Sequence, residues 1–306
     1  MLSDLKLIIM GNGSAVPTRN ANPSSQMLIY RGRQFLIDCG EGTQMQMIKC
    51  GLKTRRLNDI LISHLHGDHF FGLFGMLSTF HLFGRDKDLN LFAPSPLKLL
   101  LEKVFETSDT RLRFKINFFP MEDFKSTPII ETDTFTINGF KLNHSVPTQG
   151  FVFREKTLPP KIDKSFVKSR GLTVKQINDI KSGYDFIDDD GKLYSNKDIT
   201  SKSRSPLSYA YCSDTSYSEE IIEHIKGVKL LYHEATFDDS MLGMAETKKH
   251  STASQAAKIA KLANVEKLIL GHFSARFKSF DLLLNEARLI FPNSQISIQG
   301  EAYDIV

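Results

Sequence analysis

Cysteine is scarce in this 306-residue chain, which has only Cys39, Cys50 and Cys212. An odd number with no paired spacing argues against a disulfide framework and against a cysteine-held zinc. The three suit a reducing compartment, so the cytoplasm is the expected location and each thiol is expected to be a small buried apolar group. Also lacking is any apolar run near the roughly 18 residues needed to cross a bilayer, so no membrane association is expected. The N-terminal MLSDLKLIIMGNG carries Asp4 and has no small-residue cleavage site after a long apolar core. It reads as a first strand rather than a signal peptide. There is no internal repeat and no low-complexity tract. The net charge of +4 tolerates a polyanionic partner without demanding one. At 41% hydrophobic and 24% charged, the composition is that of an ordinary globular protein of one large or two average domains.

The feature that stands out is His64-Leu65-His66-Gly67-Asp68-His69. Asn58-Asp59-Ile60-Leu61-Ile62-Ser63 precedes it, and the apolar part of that run reads as a buried strand. The cluster is therefore expected on a loop just past a strand end, where rigid scaffolds hold catalytic groups. Imidazole nitrogen and carboxylate oxygen suit zinc, and catalytic zinc keeps an open position for water. His-x-His can place two imidazoles on one metal. Asp68 and His69 then point elsewhere, which suggests a second metal beside the first.

Along the rest of the chain, Leu5 to Met10, Met27 to Tyr30, Gln34 to Asp38 and Leu89 to Ala93 read as strands. Glu41 to Cys50 reads as a helix, as does the almost wholly apolar Phe70 to Phe83. Pro96 to Ser108 is a further amphipathic helix, with Leu99, Leu100, Val104 and Phe105 expected on its apolar side. Phe114 to Leu142 alternates like antiparallel strands. Later strands are expected at Leu207 to Cys212, Lys229 to Tyr232 and Val265 to Leu270, and a helix at Ser251 to Ala263 capped by Ser251 or Thr252. Strands mixed with strongly periodic helices predict a layered α/β or α+β sandwich.

Residues 155–204 differ from their surroundings. Eleven basic and eight acidic residues fall there, and Pro159-Pro160, Gly171, Gly183 and Gly191 interrupt it. Lys161, Lys164, Lys168, Arg170 and Lys175 are among the basic residues. The segment reads as a flexible arm inserted within a single 1–306 domain, with Thr173 to Lys181 a short helix capped by Thr173. The competing reading is a solvated insertion charged for solubility.

Several titratable residues follow strands: the His64–His69 cluster, His144, Asp214, His233-Glu234 and His272. So many at strand ends in one chain imply that those ends meet. His81 and His224 do not fit the pattern and read as structural or surface residues. Two metals need a bridging anion, and Asp214 is the natural candidate. The simplest division gives one zinc His64, His66, His144 and Asp214, and the other Asp68, His69, Asp214 and His272. Two adjacent divalent ions suit phosphodiester hydrolysis. They would equally suit a lactone, a thioester or a β-lactam.

With these residues the chain resembles the metallo-β-lactamase-fold hydrolases, and among them the ribonuclease Z family of tRNA 3′-processing endonucleases. The broader likeness rests on HLHGDH, His144, Asp214 and His272. The narrower one rests on Asp38-Cys39-Gly40-Glu41-Gly42-Thr43-Gln44, Phe71-Gly72-Leu73, His233-Glu234-Ala235-Thr236, His250-Ser251-Thr252 and Gly271-His272-Phe273-Ser274-Ala275-Arg276. It spans residues 1–306. It implies an α+β fold, a four-layer αββα sandwich with the basic arm inserted, and two zinc ions and homodimers. It also implies that precursor tRNA is cut after the discriminator base to leave a 3′-hydroxyl. By the same resemblance Asp68 is the proton acceptor, and His250, oriented by Glu234, protonates the leaving 3′-oxygen. Ser274 and Arg276 match a loop near the scissile phosphate, and Arg19 and Asn20 a loop that meets the tRNA 3′ end. Two departures are visible. The arm lacks the usual Gly-Pro pair at Gly171 to Gln176, and Arg19 stands where a Lys is common. The alternatives to a tRNA nuclease are a small-molecule zinc phosphodiesterase or hydrolase with the arm as a lid, and a non-catalytic RNA-binding relative.

Overall fold

The computed structural model describes residues 3–124 and 127–306. It separates into two compact units. The larger comprises Met1–Glu131, Thr136–Arg154 and Leu207–Val306, and the smaller comprises Thr132–Phe135 and Glu155–Pro206.

The larger unit is built on two seven-stranded sheets. The first runs Ala302–Ile305, Leu5–Gly11, Ser25–Tyr30, Arg33–Ile37, Leu57–Leu61, Leu89–Ala93 and Ile116–Pro120. Its first four strands pair antiparallel and the rest parallel. The second runs Ser294–Ile296, Leu268–Gly271, Leu230–Glu234, Ser208–Cys212, Thr148–Glu155, Phe135–Leu142 and Ile130–Glu131. Its first four strands are parallel. Central strands such as Leu5–Gly11 and Ser208–Cys212 are buried on both faces, which is why they read as near-continuous apolar runs rather than alternating ones.

The two sheets face each other. Tyr30 and Phe153 approach to 5.1 Å between ring centroids, and the Tyr209 hydroxyl donates to Gln26 Oε1 across the gap. On the outer face of the first sheet, Met47, Leu73, Met76, Leu77, Leu97 and Leu101 pack on Leu36, Ile60 and Leu91. On the outer face of the second, Ala256, Ala257, Ile259, Ala260, Leu283 and Ala287 pack on Ala210, Leu231 and Leu270. The layers are thus helix, sheet, sheet, helix. Among the described residues, no helix is long and apolar enough to cross a membrane.

Several sequence expectations need correction. Asp68 and His69 lie not on a loop but in the short helix Gly67–Phe70. The expected helix from Phe70 to Phe83 is broken after that turn and restarts as Gly72–Leu82, because the Gly72 N–H is drawn away to the Cys39 carbonyl at 2.9 Å. In the helix Pro96–Thr107 the buried positions are Leu97 and Leu101, whereas Leu99 is 72% exposed. Ile116–Pro120 pairs parallel, not antiparallel, with Leu89–Ala93, and Lys125 and Ser126 of the same stretch lie outside the described residues. Cys39 and Cys212 are fully buried but Cys50 is only half-buried. His81 and His224, by contrast, are structural as expected: His81 accepts from the Arg113 N–H, and His224 stacks on Phe140 at 5.3 Å.

The smaller unit has its own core of Ile180, Phe186 and Ile199, packed by Ile162, Phe166, Leu172 and Tyr194. Helix Lys164–Arg170 was not evident from the polar sequence; Asp163 caps it, accepting from the Ser165 and Phe166 N–H groups. Helix Val174–Lys181 begins with a reciprocal box, Thr173 bonding to Gln176 N–H and the Gln176 side chain bonding back. Lys161–Ile162 pairs with Thr200–Ser201, closing the neck of the insertion.

The restart at Gly72 generates a prediction. A Cβ there would lie 2.2 Å from the Gly40 carbonyl oxygen. Gly72→Ala should destabilise the metal-free protein by about 1–3 kcal/mol, the usual cost of overpacking. Calorimetric melting is the measurement, and an unchanged midpoint would contradict the close approach.

Candidate metal centre

The strand order brings the expected residues to one edge of the sandwich. His64 and His66 follow Leu57–Leu61, His144 follows Phe135–Leu142, Asp214 follows Ser208–Cys212, and His272 follows Leu268–Gly271. The donor atoms of His64, His66, His144 and Asp214 fall within 4.8 Å of one another, as do those of Asp68, His69 and His272.

Asp214 faces both groups, one oxygen to each. Its Oδ2 lies 3.6 Å from His64 Nε2 and 3.6 Å from His144 Nε2. Its Oδ1 lies 3.3 Å from His69 Nε2 and 3.3 Å from His272 Nε2. Asp68 Oδ2 closes the second group, 3.5 Å from both His69 Nε2 and His272 Nε2. His66 Nδ1 completes the first, 3.1 Å from His64 Nε2 and 3.2 Å from His144 Nε2.

These residues fit divalent metal. A tetrahedron with zinc bonds of about 2.1 Å has edges of about 3.4 Å, and the donor spacings cluster there. The Nε2 atoms of His69 and His272 are buried without a hydrogen bond, a costly state unless a cation occupies the space they face. The opposite ring nitrogens are fixed by partners that set which nitrogen carries the proton. His64 Nδ1 donates to Ser63 Oγ at 3.0 Å, His69 Nδ1 to Asp38 Oδ2 at 2.7 Å, His144 Nδ1 to the Lys249 carbonyl at 2.8 Å, and His272 Nδ1 to Thr236 Oγ1 at 2.9 Å. Such outer partners fix the ring orientation and leave a lone pair on the inner nitrogen.

The charge states follow from burial set against these neighbours. Burial pushes the His64 imidazole well below the usual histidine range, and the adjacent His69 adds to it. Burial also opposes charge on His69, but Asp214 and Asp38 outweigh it and raise that group well above its ordinary value. Asp214 is held far below the ordinary carboxylate range, because His272, His69 and His64 overcome the cost of its burial. Asp68 is likewise held ionised: its burial is outweighed by the His272 hydrogen bond and the nearby His69, and the Ala15 N–H donates to its Oδ2 at 3.0 Å.

His250 stands beside the cluster, its ring 5.0 Å from that of His144 and 5.4 Å from that of His272. Its Nδ1 donates to Glu234 Oε1 at 2.8 Å. Burial alone would lower the His250 pKa, but the Glu234 carboxylate reverses this and lifts it to about 9. Glu234 is fully buried and also accepts the Thr215 N–H at 2.8 Å and the Thr236 hydroxyl at 2.6 Å. A buried carboxylate with this many donors is a rigid anchor for the imidazole.

His66, Asp68, His144, Asp214, His272 and His250 border a cavity of about 640 Å³, which Ser274, Arg276 and Lys248 also line, while His64 and His69 lie behind them. Arg276 lies over the Phe237 ring at 5.9 Å. Arg19 and Asn20 line a second cavity of about 470 Å³, which shares Ser274 with the first. Lys161, Lys164, Lys168 and Lys175 are exposed on the smaller unit and border neither cavity. Arg170 is engaged within that unit, paired with Asp188 at 3.3 Å and lying over the Tyr194 ring. Sequence reasoning did not single out Lys248, Ser63, Thr236 or the Lys249 carbonyl. Thr236 and Asp38 were visible as motif members without a role, and a backbone carbonyl leaves no signal in sequence. His233, though next to Glu234, faces away: its Nδ1 donates to the Glu234 carbonyl and its Nε2 is buried with no partner.

A family model described as Anti-Pycsar protein Apyc1 matches residues 5–180, ending inside the smaller unit. Ribonuclease Z of Bacteroides fragilis (strain YCH46) is 42% identical over 293 residues, spanning 96% of this chain and 96% of that one. Human tRNase Z, short form, superimposes with a TM-score of 0.72 at 24% identity, covering 98% of this chain and 99% of that chain. The metallo-β-lactamase-fold protein YhfI from Bacillus subtilis superimposes with a TM-score of 0.68 at 19% identity, over 98% of each chain. At such identities the solved structures speak for the fold alone, whereas the sequence match runs nearly end to end. The sandwich is the metallo-β-lactamase fold, and the chain belongs to the ribonuclease Z family.

Proposed function

We propose that this chain is a tRNA 3′-processing endoribonuclease that cuts precursor tRNA after the discriminator base, leaving a 3′-hydroxyl. It uses two zinc ions and acts as a cytoplasmic homodimer. The observation that carries this reading is the division of Asp214, whose two oxygens each face a separate cluster of ligands next to a carboxylate-anchored imidazole.

His64, His66, His144 and Asp214 would hold one ion, and Asp68, His69, Asp214 and His272 the other. When bound, divalent metal supplies Lewis acidity to phosphoryl oxygen and makes water acidic near neutral pH. The chain's own residues do the rest. Asp68 is kept ionised and accepts a proton from the attacking water. His250 carries a proton on the side away from Glu234 and gives it to the departing 3′-oxygen. Glu234 keeps that imidazole aimed and favours its charged form. Lys248 and Arg276 at the cavity offer cationic partners for phosphates. Arg19 and Asn20 in the adjoining cavity are suited to the tRNA 3′ end. The exposed lysines of the 155–204 arm supply further phosphate contacts, with helix Val174–Lys181 standing where a Gly-Pro tip is usual. For the homodimer, the support is exposed apolar surface on helices Thr43–Lys49 and Gly72–Leu82: Met45, Ile48 and Leu82 are 56%, 58% and 75% exposed.

The direct test is to incubate the purified protein with end-labelled precursor tRNA and map the cut. A single cut 3′ of the discriminator base, leaving a 3′-hydroxyl, is expected. No cut, or scattered cuts, would sink the proposal. In the same assay His250→Ala should slow cleavage by about 10²–10⁴-fold, the usual worth of a general acid, while Asp68→Ala should abolish it.

Elemental analysis of protein purified without added metal should give about two zinc ions per chain. One ion at most, with no activation by added divalent metal, would contradict the shared Asp214.

Replacing Lys156 to Lys202 by a short Gly-Ser linker should cripple tRNA cleavage and spare hydrolysis of a small aryl phosphodiester, since every proposed ligand lies outside that stretch. Affinity for tRNA should also fall less steeply with salt, because fewer phosphate contacts release fewer counterions. Identical affinity and salt slope with and without the arm would favour a small-molecule phosphodiesterase instead.

A further inference from the structure

Thr236 is buried at 2% exposure, at the point where the proton donor and the metal ligands meet. Its hydroxyl oxygen lies 2.6 Å from Glu234 Oε2 and 2.9 Å from His272 Nδ1. The His272 carbonyl is 3.0 Å away, and His250 Nδ1 is 3.3 Å away.

A hydroxyl has one hydrogen to give and two lone pairs to receive with. His272 turns its Nε2 towards Asp214 and Asp68, the side on which it would ligate, so the hydrogen on Nδ1 points at Thr236. Thr236 therefore accepts there, and its own hydrogen goes to the shorter and charged acceptor, Glu234. The result is a chain of fixed direction: His272 donates to Thr236, Thr236 donates to Glu234, and Glu234 receives His250 on its other oxygen. The backbone locks the same contact. His272 has a left-handed φ of 56°, a conformation that needs support in a residue with a side chain. The Ala235 N–H donates to the Gly271 carbonyl at 2.8 Å and the Ser274 N–H to the Thr236 carbonyl at 3.3 Å, holding the two loops together.

We infer that Thr236 is a positioning residue that ties the His250–Glu234 pair to the metal ligand His272, so that one buried carboxylate aims both the proton donor and a metal-binding imidazole. This inference rests on reading the histidine and aspartate cluster as a metal centre. The hydroxyl is the active part and the methyl is packing. Two substitutions separate them: Thr236→Val keeps the shape and removes the hydroxyl, and Thr236→Ser keeps the hydroxyl and removes the methyl.

The experiment loads wild type and both variants with zinc and titrates each against a competing chelator. It then measures kcat and KM for precursor tRNA with zinc saturating. Thr236→Val should bind one of its zinc ions about 10–100-fold more weakly, the usual loss when an outer-shell partner of a ligand is removed. With zinc restored, its kcat should remain low and its KM should be close to that of wild type. Thr236→Ser should match wild type in both measurements. The opposite order, with valine tolerated and serine impaired, would show a packing role and overturn the inference. Should the valine variant fail to fold, judged by metal-free melting, Thr236→Ala serves in its place. Wild type that holds no zinc would instead defeat the metal-centre reading itself, so the two failures are distinct.

Discussion

The site depends on one buried carboxylate, Asp38. It is fully inaccessible and accepts four donors: the Ser63 N–H at 2.7 Å, the Ser63 hydroxyl at 2.8 Å, His69 Nδ1 at 2.7 Å and the Tyr211 hydroxyl at 2.7 Å. Two of these come from the turn that carries the histidine motif, one from a metal ligand, and one from the opposite sheet. A charge this deep is tolerable only when its lone pairs are filled, so none of the four donors is free to move independently. The backbone around it is equally committed. Asp38 has a φ of 56°, its N–H donates to the Leu61 carbonyl, and the Cys39 N–H donates to the His69 carbonyl at 2.7 Å. Residues 38–40 act as the mould on which residues 61–72 are cast.

That arrangement explains which parts of the protein could be read from sequence. The histidines and Asp214 announced themselves because imidazoles and carboxylates at strand ends have few other uses, and the parallel strands bring those ends together. The supporting contacts did not. Ser63 looks like any serine before a motif, and Lys249 takes part through a carbonyl that every residue possesses. Helix Pro96–Thr107 misled for a different reason. Its Leu97-Lys98-Leu99-Leu100-Leu101 run offers more than one apolar stripe, and only packing chose Leu97 and Leu101 over Leu99 and Leu100. The break before Gly72–Leu82 was invisible because nearly every residue there is apolar, and the diversion of one N–H to Cys39 is a tertiary event.

Within the cluster, neighbouring imidazoles are pushed in opposite directions. His64 is driven neutral while His69, 4.1 Å away between ring centroids, is driven to hold a proton. Several lone pairs converge on one space with few hydrogens to share. A divalent ion held by these residues would answer both conflicts, because its charge would take the place of the contested proton. Ligand geometry that is expensive to assemble is thereby ready before substrate arrives.

The paired strands Lys161–Ile162 and Thr200–Ser201 hold the two ends of the insertion side by side. To the sandwich, the thirty-odd residues between them amount to a short hairpin, because the entropy of closing that loop is met at its own neck and grows only slowly with length. With a private core of Ile180, Phe186 and Ile199, the segment behaves as a replaceable cartridge. A change in its length would be taken up between the paired strands, at a cost that rises only with the logarithm of the loop.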